Sequence, residues 1–269
     1  MFLWVGKAYR DYALGKMTLS ELSRKYGKSS HTIRKYFDRH QPLIASNSIR
    51  SSEPINLVFD ATFFGRTRGW IIFRAHGQTL YGQKIFTETL DEIELAIRRL
   101  EAKNYRFKSF TIDGRRGVIH LLRRLYPSTP IQMCLFHQAQ IIRRYTTTRP
   151  QTRCGAQLKK LMHLITCLSP KEFHRIFESI RFRFRNFLKE RNEMRQFKHR
   201  RLRSAIRSLK TNLPYLFTHR IHPHLSIPST TNTCDGSFAH WKQKLKIHRG
   251  LRQHRQDKMF EYLFSINRH

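Results

Sequence analysis

Three aspartates, Asp60, Asp113 and Asp235, are the residues whose types and placement point most directly to chemistry in this chain of 269 residues. Asp60 closes an apolar run (residues 55–61, INLVFDA), and Asp113 follows another (residues 107–112, FKSFTI). Asp235 comes after a polar loop and falls in what reads as the first turn of a helix. A single aspartate at a strand end is commonly a cap or turn residue. Two of them, each ending a strand of the same sheet, suit phosphodiester chemistry, where negative charge builds up in the transition state. Two divalent ions about 4 Å apart can hold the attacking and leaving oxygens. Mg²⁺ takes hard oxygen ligands and only a few protein carboxylates, so Mg²⁺ or Mn²⁺ on Asp60, Asp113 and Asp235 is the expected cofactor. Asp235 has a structural alternative, because the helix dipole favours an acid in the first turn. Glu178, Glu190, Glu193 and Glu261 lie in strongly basic helices and read as salt-bridged surface groups.

The strands that would carry the first two aspartates are part of a longer pattern. Residues 55–61, 70–76 and 79–86 read as strands, the last two joined by a tight turn at Gly77 and Gln78. A helix at 89–103 carries Leu90, Ile93, Leu95, Ile97 and Leu100 at helical spacing. A strand at 107–112, a helix at 118–126, a short strand at 131–134 and a helix at 136–145 follow. The order β-β-β-α-β-α-β-α predicts an α/β fold with a mixed sheet and helices on its faces, and the ribonuclease H-like fold has this order. There the first and fourth strands are adjacent and parallel, which would make Asp60 and Asp113 neighbours at the carboxyl edge where α/β folds place their sites.

Ahead of this core, residues 1–40 read as a small all-α unit. Trp4, Ala8, Tyr12 and Leu14 mark a first helix ending near Gly15. Thr18 with Glu21 forms a capping box for a second, which carries Leu19, Leu22 and Tyr26 and which Gly27 can end in the left-handed conformation. Ser29 or Ser30 opens a third helix containing Ile33, Tyr36 and Phe37. This pattern predicts a helix-turn-helix, with Ser29, Ser30, His31, Thr32, Arg34 and Lys35 presented to phosphates and base edges. The competing reading is a helical hairpin that only packs or dimerises. Residues 41–54 contain Pro and Ser without a period and read as a linker, leaving 55–269 as the catalytic domain. Within it, residues 155–225 read as a helical insertion. Its stripes, Leu158–Leu161–Met162–Ile165 and Phe173–Ile176–Phe177–Ile180–Phe184–Phe187, repeat at three and four and so read as core, not base-stacking platforms.

Composition constrains the partner. The chain carries 52 Lys and Arg against 18 Asp and Glu, a formal net charge of +34. Such self-repulsion calls for a polyanion, nucleic acid before a membrane surface. Hydrophobic residues at 39% and 20 Phe exclude a disordered basic tail. No apolar run is long enough to span a membrane, no secretory signal is visible, and four scattered Cys make no disulfide framework. The expectation is a cytoplasmic, nucleoid-associated protein.

The segment at 230–251, TTNTCDGSFAHWKQKLKIHRGL, resembles the carboxyl-terminal catalytic motif of bacterial insertion-sequence transposases of the mutator-like type, which have a ribonuclease H-like core with three acidic residues. Asn232, Asp235 and the basic stretch ending in His-Arg-Gly carry the likeness. Cys134 and His137 resemble the Cys-x-x-His signature of that group, here 21 residues after Asp113. The resemblance implies that Asp60, Asp113 and Asp235 are the catalytic, metal-binding carboxylates of a DNA transposase. Such an enzyme would cut transposon ends and transfer them into target DNA, acting as a homo-oligomer on DNA. Lys242, Lys244, Lys246, His248 and Arg249 would then track phosphates. Asp235 stands where the family usually has Glu, one methylene longer. Cys134 and His137 lack further ligands at zinc spacing, so zinc is not expected. Two other classes stay open: a DNA-binding protein without catalysis, such as a decayed copy, and a ribonuclease H-like nuclease without strand transfer.

Overall fold

The computed structural model describes residues 3–40, 53–65, 68–248 and 250–266; residues 41–52 of the expected linker, and Arg249, lie outside them. Helix α1 (Leu3–Ala13) is followed by α2 (Leu19–Tyr26), which opens with the expected capping box. Thr18 accepts the Glu21 N–H, and Glu21 accepts the Thr18 N–H at 2.7 Å. Gly27 ends α2, and Ser29 caps α3 (Ser30–Arg39) by accepting from the Thr32 N–H. Leu22, Ile33 and Phe37 are the buried residues of this helix pair, so the apolar spacing reports its packing.

Five strands follow in the sheet: β1 (Ile55–Phe63), β2 (Gly69–Ala75), β3 (Gln78–Ile85), β4 (Phe107–Ile112) and β5 (Ile131–Met133), in the order β3-β2-β1-β4-β5. β1 pairs parallel with β4, β4 parallel with β5, and β2 antiparallel with β3. The result is a mixed α/β sheet compatible with the ribonuclease H-like order. Helices α4 (Leu90–Glu101), α5 (Arg116–Leu125) and α6 (Leu135–Thr146) alternate with the later strands. Then come α7 (Arg153–His163), α8 (Pro170–Arg183), α9 (Arg200–Leu216), α10 (Thr218–Ile221), α11 (Asn232–Ile247) and α12 (Gln253–Ile266).

Three local expectations are corrected. β1 does not stop at Asp60 but runs on through Ala61, Thr62 and Phe63, the last two of types that favour a pleated strand. The β2–β3 turn is His76–Gly77, one residue earlier than expected. Ala75 pairs with Gln78, and both turn residues have positive φ, as a two-residue hairpin demands. On α4, Leu95 is 48% exposed, and the buried face is Ile93, Ala96, Ile97 and Leu100.

The chain divides into two compact units. One takes in described residues within Met1–Ser52, Ala61–Tyr105 and Thr233–His269. In it, α1 packs against α12 and α12 against β3. Its core is aromatic: Trp70 stacks on Phe260 at 5.0 Å, Trp241 meets Phe260 edge-on at 5.2 Å, and Tyr9 meets both Phe37 and Tyr262 at 5.1 Å. Rings at these separations add to the area they bury. Helices α1–α3, which the sequence pattern sets apart as a module, therefore share a unit with the hairpin β2–β3 and the carboxyl-terminal helices.

The other unit takes in Glu53–Asp60 and Arg106–Asn232. Its helical part buries Leu158, Leu161, Met162 and Ile165 together with Phe173, Phe177 and Ile180, while Ile176, Phe184 and Phe187 pack on the edge of that cluster. The two stripes read from the sequence are core. Glu178 and Glu190 are paired as expected, with Arg181 at 2.5 Å and His199 at 3.2 Å.

Candidate active site

The parallel register of β1 and β4 matches Val58 with Thr111. Asp60 lies two residues beyond Val58 on β1, and Asp113 lies two residues beyond Thr111, just past the end of β4. Asp113 is the first residue after β4, and Gly114 follows with φ +89. The Asp113 Oδ1 accepts the N–H of Arg115 at 3.0 Å, so this carboxylate also holds its own turn. The positive φ of Gly114 favours glycine in the turn after Asp113, and a Cβ there would press on the Met133 side chain.

His137, which sequence reasoning placed among the family signatures, lies beside Asp60. His137, in the first turn of α6, brings a ring nitrogen to within 4.8 Å of a carboxylate oxygen of Asp60, and both residues are partly buried. Asp113 does not join this cluster of potential ligands. The signal for His137 was its spacing from Cys134, too common a pattern to carry a role alone.

His137 is held by neighbours drawn from two parts of the chain. Cys134, fully buried at the junction of β5 and α6, donates its backbone N–H to Ile112 O at 2.7 Å. Its Sγ accepts from the Thr231 N–H at 3.2 Å and lies 3.4 Å from Thr231 Oγ1. Thr231 Oγ1 also lies 3.3 Å from His137 Nδ1. Burial opposes ionisation of the Cys134 thiol, but hydrogen bonds from His137 and Thr231 outweigh it, leaving the thiol below its ordinary value. The segment leading to Thr231 is anchored along the strands. Asn56 Nδ2 donates to Leu225 O at 2.8 Å, Thr111 Oγ1 to Pro228 O at 2.8 Å, and Leu135 N to Ser229 O at 3.0 Å. Thus the Thr-Thr-Asn stretch and the Cys-x-x-His pair, which the sequence shows as separate motifs, form one hydrogen-bonded assembly in the unit that carries Asp60.

Asn232 opens α11 and is exposed; Asp235 lies in the first turn of that helix and is partly buried. The basic residues further along α11 divide. Lys246 is exposed. Lys242 is partly buried, its Nζ 3.3 Å from Phe63 O and 5.2 Å from the Phe64 ring. Burial first, and then Lys246, hold its pKa below the usual lysine value. Lys244 and His248, expected to track phosphates, are buried and hydrogen-bonded within the chain. Both are 7% exposed; Lys244 Nζ donates to Leu14 O at 3.1 Å, and His248 Nε2 bonds Tyr12 O at 2.9 Å. The two acceptors lie at the end of α1, Tyr12 in its last turn and Leu14 just past it.

On α3, the three hydroxyls are engaged in local structure. Ser29 caps the helix, Ser29 Oγ and Thr32 Oγ1 are 2.9 Å apart, and Ser30 Oγ donates to Leu19 O at 3.3 Å. His31, Arg34 and Lys35 are exposed on the same helix. A bidentate ion pair, Arg255 to Asp38 at 2.6 Å through both nitrogens, ties α3 to α12.

No protein-family model matches the chain, and no curated protein matches it in sequence. Among solved structures, the chain is similar to the Drosophila P element transposase in its strand transfer complex. The identity is 13%, the TM-score is 0.36, and the match covers 97% of this chain and 78% of that one. At that degree of similarity no activity transfers. No helix among the described residues is long and apolar enough to cross a membrane.

Proposed function

We propose that the chain is a metal-dependent DNA transposase that cuts phosphodiester bonds at transposon ends and joins them to target DNA. The observation that carries this reading is the placement of Asp60. It lies within 4.8 Å of the His137 imidazole, on a strand that pairs parallel with β4, just past whose end Asp113 follows, in a chain of net charge +34. Asp113 and Asp235 complete the proposed set of carboxylates.

The donor chemistry fits a divalent cation. A carboxylate oxygen beside an imidazole nitrogen suits Mn²⁺, which accepts both, better than Mg²⁺, which prefers oxygen alone. When bound, such an ion supplies charge stabilisation at the phosphate and an activated water. The chain's own residues do the rest. Asp60 and His137 hold the ion, Thr231 and Cys134 fix the orientation of the imidazole, and exposed Arg34 and Lys35 of α3 grip phosphates outside the reacting centre. Assembly of two or more copies on DNA belongs to the same proposal, because two ends must be joined.

The test is nicking of a supercoiled plasmid that carries the DNA flanking the coding sequence, with Mn²⁺ or Mg²⁺. Asp60→Asn should abolish nicking, and Asp113→Asn should reduce it severely; nicking that survives both changes overturns the site. Joined products distinguish a transposase from a nuclease that only cuts. One observation favours a binder without catalysis: the Asp113 carboxylate is engaged by the Arg115 N–H in its own turn. Tight DNA binding with no nicking in either metal would establish that reading instead.

A further inference from the structure

The helical region carries a charge concentration far above that of the whole chain. Residues 181–207 contain eleven Lys and Arg against two acids, Glu190 and Glu193, a net +9 over 27 residues, where the full chain carries +34 over 269. These residues run from the end of α8 through a short hairpin, closed by the bridge between Arg191 and Phe197, into the first half of α9.

The cations are arranged. The Arg185 guanidinium lies 4.1 Å from the centre of the Phe182 ring, which is itself 70% exposed. Arg191 and Arg203 lie 4.2 and 3.5 Å from the Phe197 ring. Of these, Arg203 also donates to Leu188 O at 2.9 Å and Arg191 to Arg195 O, so they brace the hairpin. Arg185, Lys189, Lys198 and Arg200 are exposed around them. Next to this platform, a cleft of about 290 Å³ is lined by Lys198, Arg200 and Arg201 together with Thr147, Gln151 and Thr152. Guanidinium, ammonium, amide and hydroxyl groups in one cleft match the oxygens of a phosphodiester chain.

We propose that this surface, built on residues other than those of α3 and α11, holds the phosphate backbone of duplex DNA without reading its sequence. The arginines already occupy the aromatic faces: Phe197 is engaged by two guanidiniums, and Phe182 by one. Stacking orients a guanidinium while its N–H edge remains able to meet phosphate. A surface of this kind contributes through counterion release and is indifferent to base identity. The inference rests on DNA being the partner in the proposed function, and the experiment separates the two.

The experiment measures binding of the full chain to a random-sequence duplex by fluorescence anisotropy across a salt series. The triple variant Arg185→Gln/Lys198→Gln/Arg200→Gln should lower the steepness of log K against log salt by about 2.7, at about 0.9 per lost phosphate contact. The loss should be equal for unrelated sequences. Arg185→Lys/Arg200→Lys, which keeps the charge, should retain the slope and controls for folding, as does an unchanged melting temperature in the triple variant. DNA binding with an unaltered slope in the triple variant overturns this surface while leaving the functional reading intact. Failure of the unmodified chain to bind duplex, or preference for anionic vesicles over duplex, overturns both.

Discussion

The backbone N–H of Thr231 donates to the Sγ of Cys134 over 3.2 Å, joining two residues 97 apart in the chain inside a fully buried pocket of polar contacts. Cys134→Ala removes this acceptor and leaves a buried N–H without it, at a cost of about 1–3 kcal/mol. The melting temperature should fall by several degrees, and Cys134→Ser, which restores an acceptor, should fall less. Calorimetry on the two variants checks the order.

The proximity of Asp60 and His137 makes a prediction about metal preference that does not depend on turnover. Titration followed by Mn²⁺ paramagnetic resonance should show binding by the unmodified chain and its loss in Asp60→Asn. His137→Ala should weaken Mn²⁺ about tenfold or more while changing Mg²⁺ affinity little, because imidazole is a poor partner for Mg²⁺. Equal losses for both ions would remove His137 from the ligand set.

Basic residues of α3 and α11 should separate by experiment. Arg34→Ala/Lys35→Ala, both exposed, should reduce the salt dependence of DNA binding by about 1.8 in slope and leave the melting temperature near its original value. Lys244→Ala should do the reverse. It removes a buried side chain bonded to Leu14 O, so stability should drop by about 1–3 kcal/mol with the slope unchanged. A salt titration paired with a thermal melt on each variant gives the comparison.

Burial lowers the pKa of His248, outweighing its bond to Tyr12 O, and burial likewise lowers His40 and His219. A histidine with a folded pKa below its unfolded value binds its proton more readily in the unfolded chain. Stability is therefore full above the unfolded value near 6.5 and is lost as pH falls from there through the folded value. Denaturant midpoints should decrease between pH 7 and pH 5. In His248→Gln, which retains an N–H donor for Tyr12 O, the decrease should be smaller but not absent, since the other histidines remain.

Features set by neighbouring residues were legible in the sequence. The capping box at Thr18–Glu21 forms as its spacing predicts, because cap and partner lie within one helical turn. The strand at 107–112 ends just ahead of Asp113, and the stripes of Leu158 and Phe173 are core, because periodicity records which face is buried. The apolar runs, in order, were enough to anticipate a mixed α/β sheet with β1 beside β4.

Tertiary structure decided what depends on contacts between distant segments. Lys244 and His248 look like phosphate ligands in a run of basic residues, and only the tertiary structure buries them and bonds them to Leu14 O and Tyr12 O, some 230 positions away. His137 belongs to a common four-residue pattern until the chain brings it beside Asp60 and threads Thr231 between it and Cys134. Sequence determined the elements, the charge and the candidate acids of this protein, since propensity, capping and alternation are free energies of short segments. Which polar side chains remain available for chemistry was settled by the fold, since burial and hydrogen-bond pairing exist only once remote surfaces meet.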